Sequence, residues 1–119
     1  MIIKFTDGTN FEYLNSVETE EYFNGSNRRT LTFEAAVGVV SVDALNTVMG
    51  DEANTAVIEL SNGEVKNIYD GYVLKAKCGI ENKLVAAETP DAPALYEDRI
   101  VFKLGKRTYI EEQLKRLGL

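Results

Sequence analysis

Apolar and polar residues alternate with a period of two over much of the chain, which predicts strands that pack one face on a core. The pattern is clearest over residues 29–35 and again over residues 100–104, where it stops at Gly105. Two further strands are predicted over residues 56–60 and from Val65 towards Tyr69. Strands of this kind are typical of antiparallel sheets with a polar outer face.

The stretch FTDGTNFEY, residues 5–13, contains the first of several Asx-Gly pairs. A two-residue loop at Asp7-Gly8 would set apolar side chains opposite polar ones. A three-residue loop over residues 6–8 pairs Ile3 with Phe11 and keeps the apolar set on one face. We therefore interpret Gly8 as the left-handed residue of a bulged hairpin turn, and a ligand loop is the alternative.

Asn62-Gly63 predicts a second hairpin, with a two-residue type I′ loop that pairs Leu60 with Val65. Asp70-Gly71 then interrupts the alternation. A bulge near Gly71 would reset it and place Tyr72, Leu74, Ala76 and Cys78 on one face. Cys78 is then expected to point inward as a small hydrophobic residue rather than a nucleophile.

Two short helices are predicted. Ser41 can cap a helix over residues 42–49 that ends at Gly50. Residues 108–111 form a capping box, and it precedes apolar residues at i, i+4 and i+7. The alternative for the second segment is that residues 107–110 continue as a strand. The apolar positions of the second helix are Ile110, Leu114 and Leu117.

Together these elements predict one domain over residues 1–119. The expected class is mainly β and antiparallel, either a β-sandwich or a partly open β-barrel, with one or two short helices. An α+β fold is the alternative. Alternating strands build sandwiches and barrels equally well, so the pattern leaves that choice open.

The stretch GIENKLVAAETPDAPALYED, residues 79–98, lacks such a pattern and contains both prolines. Pro90 and Pro93 block a central strand, so we expect an exposed loop or arm of about twenty residues. Its apolar residues, among them Leu95 and Tyr96, are available to a neighbouring chain. The alternative is a flap that lies over its own core.

Charge is divided unevenly along the chain. Residues 1–98 carry 7 Lys and Arg against 17 Asp and Glu, a balance of −10, and residues 99–119 carry 6 against 2, a balance of +4. An acidic body disfavours nucleic acid. The basic segment around Lys106 and Arg107 suits an acidic surface on a neighbouring copy, or is an ordinary charged surface. No apolar run approaches a membrane span or a signal peptide, so the chain is expected in the cytoplasm after synthesis, with no membrane partner.

Candidate chemistry is sparse. The chain has no histidine, one cysteine and no nucleotide or calcium motif, so we predict no catalytic, cofactor or metal site and no enzyme activity. The acidic group Glu18, Glu20 and Glu21 is interpreted as solvated surface. Arg28 and Arg29 follow a turn and suit an anion or an acidic neighbour, or protect an edge strand from aggregation.

The chain combines a hairpin-rich N-terminus, the strand NRRTLTFEAAV, the helix SVDALNTVMG, the hairpin AVIELSNGEVKNIYDGYVLKAK and a basic C-terminal segment. In this combination it resembles small β modules of bacteriophage tail and baseplate proteins. The resemblance covers most of the chain and is one of pattern. It implies a non-enzymatic virion or prophage protein that assembles with itself or with another structural protein. It would then be incorporated in a virion.

Two functional hypotheses follow. The first is a structural assembly module that acts through protein–protein contacts. The second is a small module that binds a peptide, a glycan or another ligand on exposed aromatic residues such as Tyr22, Phe23, Tyr69 and Tyr72. For the first, the predicted interaction surface consists of Arg28, Arg29, Leu95, Tyr96, Lys106 and Arg107.

Overall fold

A computed structural model describes residues 1–118 of the chain. Within this range the chain forms eight strands and three short helices. In chain order the elements are β1 (Ile2–Lys4), β2 (Asn10–Glu12), β3 (Asn15–Phe23), β4 (Ser26–Ala36), α1 (Val42–Met49), α2 (Glu52–Thr55), β5 (Val57–Asn62), β6 (Val65–Asp70), β7 (Leu74–Ala86), β8 (Leu95–Gly105) and α3 (Tyr109–Arg116).

The strands form two antiparallel sheets of four strands each. Sheet A has the order β2-β1-β5-β6, and sheet B has the order β3-β4-β8-β7. Each sheet keeps two edge strands, so the sheets do not close into a barrel. The prediction of a mainly β, antiparallel fold is confirmed, and of its two forms the chain adopts two facing sheets rather than a barrel.

The core lies between the facing sides of the two sheets. In sheet B, Leu31 and Phe33 of β4 pair with Leu104 and Phe102 of β8, and all four are buried. The rings of Phe33 and Phe102 stack with their centroids 4.9 Å apart. Phe11 of sheet A meets Phe102 edge to face at 5.8 Å. Aromatic pairs of this kind add about 0.5–1.5 kcal/mol beyond area burial, so the pair of Phe11 with Phe102 helps to hold the two sheets together.

The hairpin between β1 and β2 has the predicted three-residue loop. Ile3 pairs with Phe11, and Gly8 adopts a positive φ of +94°. The carboxylate of Asp7 accepts hydrogen bonds from the backbone N–H of Thr9 at 2.9 Å and from its hydroxyl at 3.0 Å. The interpretation of Gly8 as the left-handed residue of a turn is confirmed, and Asp7 serves the same turn.

The hairpin between β5 and β6 differs from the predicted register. Asn62 pairs with Val65, so the loop consists of Gly63 and Glu64 and Leu60 pairs elsewhere. The prediction of an Asn62-Gly63 loop that pairs Leu60 with Val65 is wrong. Gly63, with φ +63°, occupies the first central position, as a type II′ turn requires. The predicted type I′ turn over Asn62-Gly63 would instead have required a positive φ at Asn62.

The region around Gly71 also differs from the prediction. Gly71, with φ +80°, lies where the chain leaves sheet A for sheet B, and the bulge lies in β7 between Lys75 and Lys77. The predicted bulge at Gly71 is therefore wrong, and Leu74 and Cys78 lie on opposite faces. Cys78 does point inward, where it packs half-buried against the core. Burial raises the pKa of its thiol, which opposes a nucleophilic role.

The first predicted helix is present and packs against the sheets. The Ser41 hydroxyl accepts a hydrogen bond from the backbone N–H of Ala44 at 3.3 Å, and Gly50 follows the last turn of α1. The side chains of Leu45 and Met49 on this helix are buried in the core. The single turn α2 was not predicted. Its signal was Asp51, whose carboxylate caps it.

The segment from residue 79 to residue 98 is a regular hairpin and not an irregular loop. β7 and β8 are paired along their whole length, from Leu74 with Gly105 to Ala86 with Leu95. The other neighbour of β8, β4, ends earlier, at Ala36 opposite Arg99. Residues 82–98 therefore project as two strands beyond the body, and we call them the arm. The arm explains the elongated shape of 60 × 30 × 28 Å. The alternative of a flap over its own core is wrong.

Candidate interaction surfaces

Arg28 is the centre of a buried polar cluster at the end of β8. Its guanidinium has five N–H donors, and all five are used. It donates to the two carboxylate oxygens of Glu111 at 2.5 and 3.1 Å. The remaining three donate to the backbone carbonyls of Phe23, Lys106 and Asn24 at 3.0 to 3.1 Å. We call Arg28, Thr108 and Glu111 the C-terminal clamp, because they join β4, the end of β8 and α3.

Local turns bring these partners together. Asn24 and Gly25 form a two-residue loop between β3 and β4, and both have positive φ, at +50° and +81°. This tight turn carries the carbonyls of Phe23 and Asn24 towards Arg28. The Phe23 ring lies under the guanidinium at 5.1 Å and also covers Gly105, where a Cβ would meet it at 2.1 Å. Gly105 is therefore needed so that the ring can approach the backbone.

Glu111 belongs both to the clamp and to the predicted capping box of α3. Its carboxylate accepts a hydrogen bond from the backbone N–H of Thr108 at 2.8 Å, and the Thr108 hydroxyl accepts one from the N–H of Glu111 at 3.3 Å. The hydrogen bonds from Arg28, and then from Thr108, lower the pKa of Glu111 to about 2. The helix is confirmed, and the alternative of a continued strand over residues 107–110 is wrong.

The other basic candidates also make contacts inside the chain. Lys106 lies 3.8 Å from the carboxylate of Asp70 and 5.4 Å above the ring of Tyr72. Arg107 is mostly buried and forms an ion pair with Glu52. Arg29 pairs with Glu18 and stays half exposed. Of the predicted basic residues, Arg28 is therefore inaccessible to a partner, whereas Arg29 and Lys106 keep exposed surface.

The helix α3 is attached by its polar side. Its ion pairs come from Glu111, from Glu112, which lies 3.9 Å from Arg107, and from Lys115, which lies 3.5 Å from Glu52. The apolar stripe Ile110, Leu114 and Leu117 remains 69%, 43% and 73% exposed. Amphipathic helices usually turn such a stripe towards the core. No residue of α3 is buried among those the structure describes.

The arm carries a second set of exposed apolar side chains. Leu84 pairs across the arm with Tyr96, and Leu95 is the first residue of β8. These three side chains are 53%, 57% and 58% exposed. Pro90 and Pro93 lie near the tip, outside the paired strands. The predicted residues Leu95 and Tyr96 thus lie at one end of β8, and Lys106 and Arg107 follow its other end.

The acidic and aromatic candidates are mostly engaged in the fold. Glu18 accepts a hydrogen bond from the hydroxyl of Tyr72 at 3.0 Å. Glu21 pairs with Lys103 at 2.8 Å, and that hydrogen bond lowers the pKa of Glu21. Within residues 1–118 no three or more His, Cys, Asp or Glu side chains gather closely enough to hold a metal ion. Of the four aromatic candidates for stacking on a ligand, Tyr72 is buried and Tyr22 is the most exposed.

A small open depression lies on the outer side of sheet A. It has a volume of about 200 Å³ and is lined by Lys4, Phe5, Thr6, Val57 and Glu59. Ligand pockets usually have about 300–1,000 Å³ and enclose most of the ligand. This depression gives little support to small-molecule binding.

The interaction of Arg28 with Glu111 was missed by sequence reasoning. The capping box singled out Glu111, and the turn singled out Arg28, but the two residues are separated by 83 positions and share no local pattern. The approach of Phe23 to Gly105 was missed for the same reason. The exposure of the α3 stripe had no signal either, because the stripe has the spacing of a buried face.

The fold and these surfaces define a protein of two antiparallel β-sheets with a projecting hairpin and an outward-facing C-terminal helix. No protein-family model matches the chain, and neither do any curated protein or any solved structure. Among the described residues, no helix has the length and apolar character needed to cross a membrane.

Proposed function

We propose that this protein is a non-enzymatic assembly module that associates with further copies of itself through protein–protein contacts. The observation that carries the proposal is the arm, which holds Leu84, Leu95 and Tyr96 in the solvent beyond the body. Leu84 and Tyr96 lie side by side on one face of the arm and Leu95 lies on the other face, and exposed apolar side chains grouped in this way are candidates for contact with another chain. A phage tail or a prophage particle is the setting that the pattern of the sequence suggests.

The stability of the arm supports the proposal. A two-stranded hairpin without a third strand or a covering layer is marginally stable in water. Within residues 1–118, the strand residues of the arm pair only with each other, because β4 pairs with β8 only as far as Arg99. Contact with another chain would bury the apolar side chains of the arm and stabilise it. This gain is available to an assembly module and not to an isolated monomer.

The polar candidates also favour binding over catalysis. Glu18 and Glu21 are held by Arg29, Tyr72 and Lys103. A carboxylate whose pKa is lowered by an ion pair, such as Glu21, is unsuited to act as a general acid near neutral pH. Glu18 and Glu21 therefore act in the structure of sheet B.

The test is the absolute mass in solution, measured by light scattering after size exclusion. We expect a discrete oligomer for the wild type. The double variant Leu95→Lys/Tyr96→Lys is expected to be monomeric, because it places a charge among the exposed apolar side chains on each face of the arm. The matched control is Val65→Lys/Ile68→Lys on β6 of sheet A, where both apolar residues are 62% exposed. A wild type that stays monomeric at every attainable concentration would overturn the proposal, and an arm variant with the wild-type mass would show that the arm does not carry the association.

A further inference from the structure

The orientation of α3 is fixed by its polar contacts. Arg28 holds Glu111 with two hydrogen bonds, and Glu52 holds Lys115 on the same side of the helix. The helix cannot turn its apolar stripe towards the body without breaking these contacts. The clamp therefore presents Ile110, Leu114 and Leu117 to the solvent as an ordered surface.

The arm has the properties of a partner for this surface. Both are apolar and exposed, and their charges are opposite. The arm, residues 82–98, carries four carboxylates and one lysine, a balance of −3. Residues 106–118 carry four basic and two acidic side chains, a balance of +2. Within residues 1–118, Glu88 and Asp91 of the arm and Arg116 of α3 enter no ion pair, so they remain available for contacts between chains.

The two surfaces cannot meet within one molecule. The apolar residues Leu95 and Tyr96 of the arm lie at the start of β8, and α3 follows its last residue, Gly105. The stretch from Tyr96 to Gly105 spans roughly 30 Å at about 3.3 Å per residue. A contact between these surfaces must therefore join two copies.

We propose that the apolar stripe of α3 is the docking site for the arm of a second copy of this chain. This inference rests on the proposed function of self-association and names the two surfaces that meet. The contact is heterologous, because each copy donates its arm to one neighbour and its helix to the other. Heterologous contacts produce a ring if the rotation closes and a filament if it does not.

The test is complementation between two variants that each lack one surface. The arm variant is Leu95→Lys/Tyr96→Lys. The helix variant is Leu114→Lys/Leu117→Lys, which keeps residues with good helix propensity. The control is Val65→Lys/Ile68→Lys. All six side chains are exposed, and circular dichroism with thermal melting verifies that each variant is folded.

We expect each variant alone to sediment as a monomer and the control to have the wild-type mass. A mixture of the arm variant and the helix variant should form a one-to-one dimer, because each retains the surface that the other lacks. Arg116→Glu should weaken the wild-type oligomer, and higher salt should do the same, because the opposite charges are then removed or screened.

The other outcomes are distinguishable. If the wild type is oligomeric but the mixture stays monomeric, the inference is wrong and self-association stands. If the helix variant alone has the wild-type mass, α3 is not the docking site. If the arm variant alone still dimerises, the contact joins like surfaces, for example helix to helix, and the heterologous model is wrong. If the wild type is monomeric, both the inference and the proposed function fail.

Discussion

At the two ends of β8, the side chains differ in how completely they find contacts within their own chain. At the C-terminal end, Arg28 uses all its donors and Phe23 covers Gly105, so the clamp is complete within one chain. At the other end, Leu84 and Tyr96 pair with each other and remain more than half exposed. The two parts of the predicted interaction surface therefore differ in exposure. The clamp is satisfied within one chain, whereas the arm leaves apolar side chains in the solvent, and the proposed function assigns these to a partner.

The largest expected effect is at the clamp. Arg28→Ala removes a buried guanidinium and leaves three carbonyls and Glu111 without their donor. We expect the free energy of unfolding to fall by about 3 kcal/mol. Arg29→Ala, which removes the neighbouring half-exposed pair with Glu18, should cost less than about 1 kcal/mol. Urea unfolding of both variants measures the difference, and equal losses would contradict the role given to the clamp.

Gly105→Ala should have the next largest effect. The added methyl group would lie 2.1 Å from the Phe23 ring and 3.1 Å from the side chain of Arg28, so the ring must move away. We expect a loss of about 1–3 kcal/mol in the free energy of unfolding. Gly79→Ala on the adjacent strand is the matched control, because no heavy atom of the part of the chain that the structure describes, apart from the neighbouring residues, lies within 4 Å of its Cβ position. If the two alanine variants have the same stability, the close approach of Phe23 is not important.

The clamp should also make stability depend on acid pH. The pKa of Glu111 is about 2 in the folded chain against an ordinary value of 4.5, so its ionised form favours the folded state. This contribution is complete above about pH 4.5 and is lost as the pH falls towards 2. Urea unfolding over this range should therefore show a steeper decline for the wild type than for Glu111→Gln. Identical pH profiles would show that Glu111 contributes nothing in this range.

The smallest expected effect is at the arm. Leu95→Lys/Tyr96→Lys should change the free energy of unfolding of the monomer by less than about 0.5 kcal/mol, because both side chains are exposed and outside the core. The measurement is urea unfolding at a concentration at which the chain is monomeric. A loss as large as that of Gly105→Ala would mean that the arm packs on its own body, and the comparison between the two ends would fail.

Much of the fold could be predicted because it depends on local pattern. The loop at Gly8 follows from the requirement that Ile3 and Phe11 share a face, and the caps of α1 and α3 follow from Ser41 and Thr108. The β5–β6 loop was predicted one residue too early, because both Asn62-Gly63 and Gly63-Glu64 suit a tight turn. The choice between them depends on how β5 pairs with its neighbours, and turn chemistry does not contain that information.

The candidate surfaces were predictable only in part. Proline at positions 90 and 93 and the exposed apolar residues indicated an arm, and the arm is present as a regular hairpin. Local pattern also predicted that Arg28 lies on the surface, because a charged residue after a turn is usually solvated. Its burial depends on Glu111 and on the carbonyl of Lys106, which are 83 and 78 positions away. Contacts over such distances have no local signature.

The sequence by itself determined that this chain forms antiparallel strands with two capped helices, because alternation, turn residues and caps act over a few neighbouring positions. Only the tertiary structure decided that α3 turns its apolar stripe outward. The same spacing of Ile110, Leu114 and Leu117 serves equally well for a buried face. The face that a helix presents depends on where its anchors lie, and here the anchor is Arg28 on a distant strand.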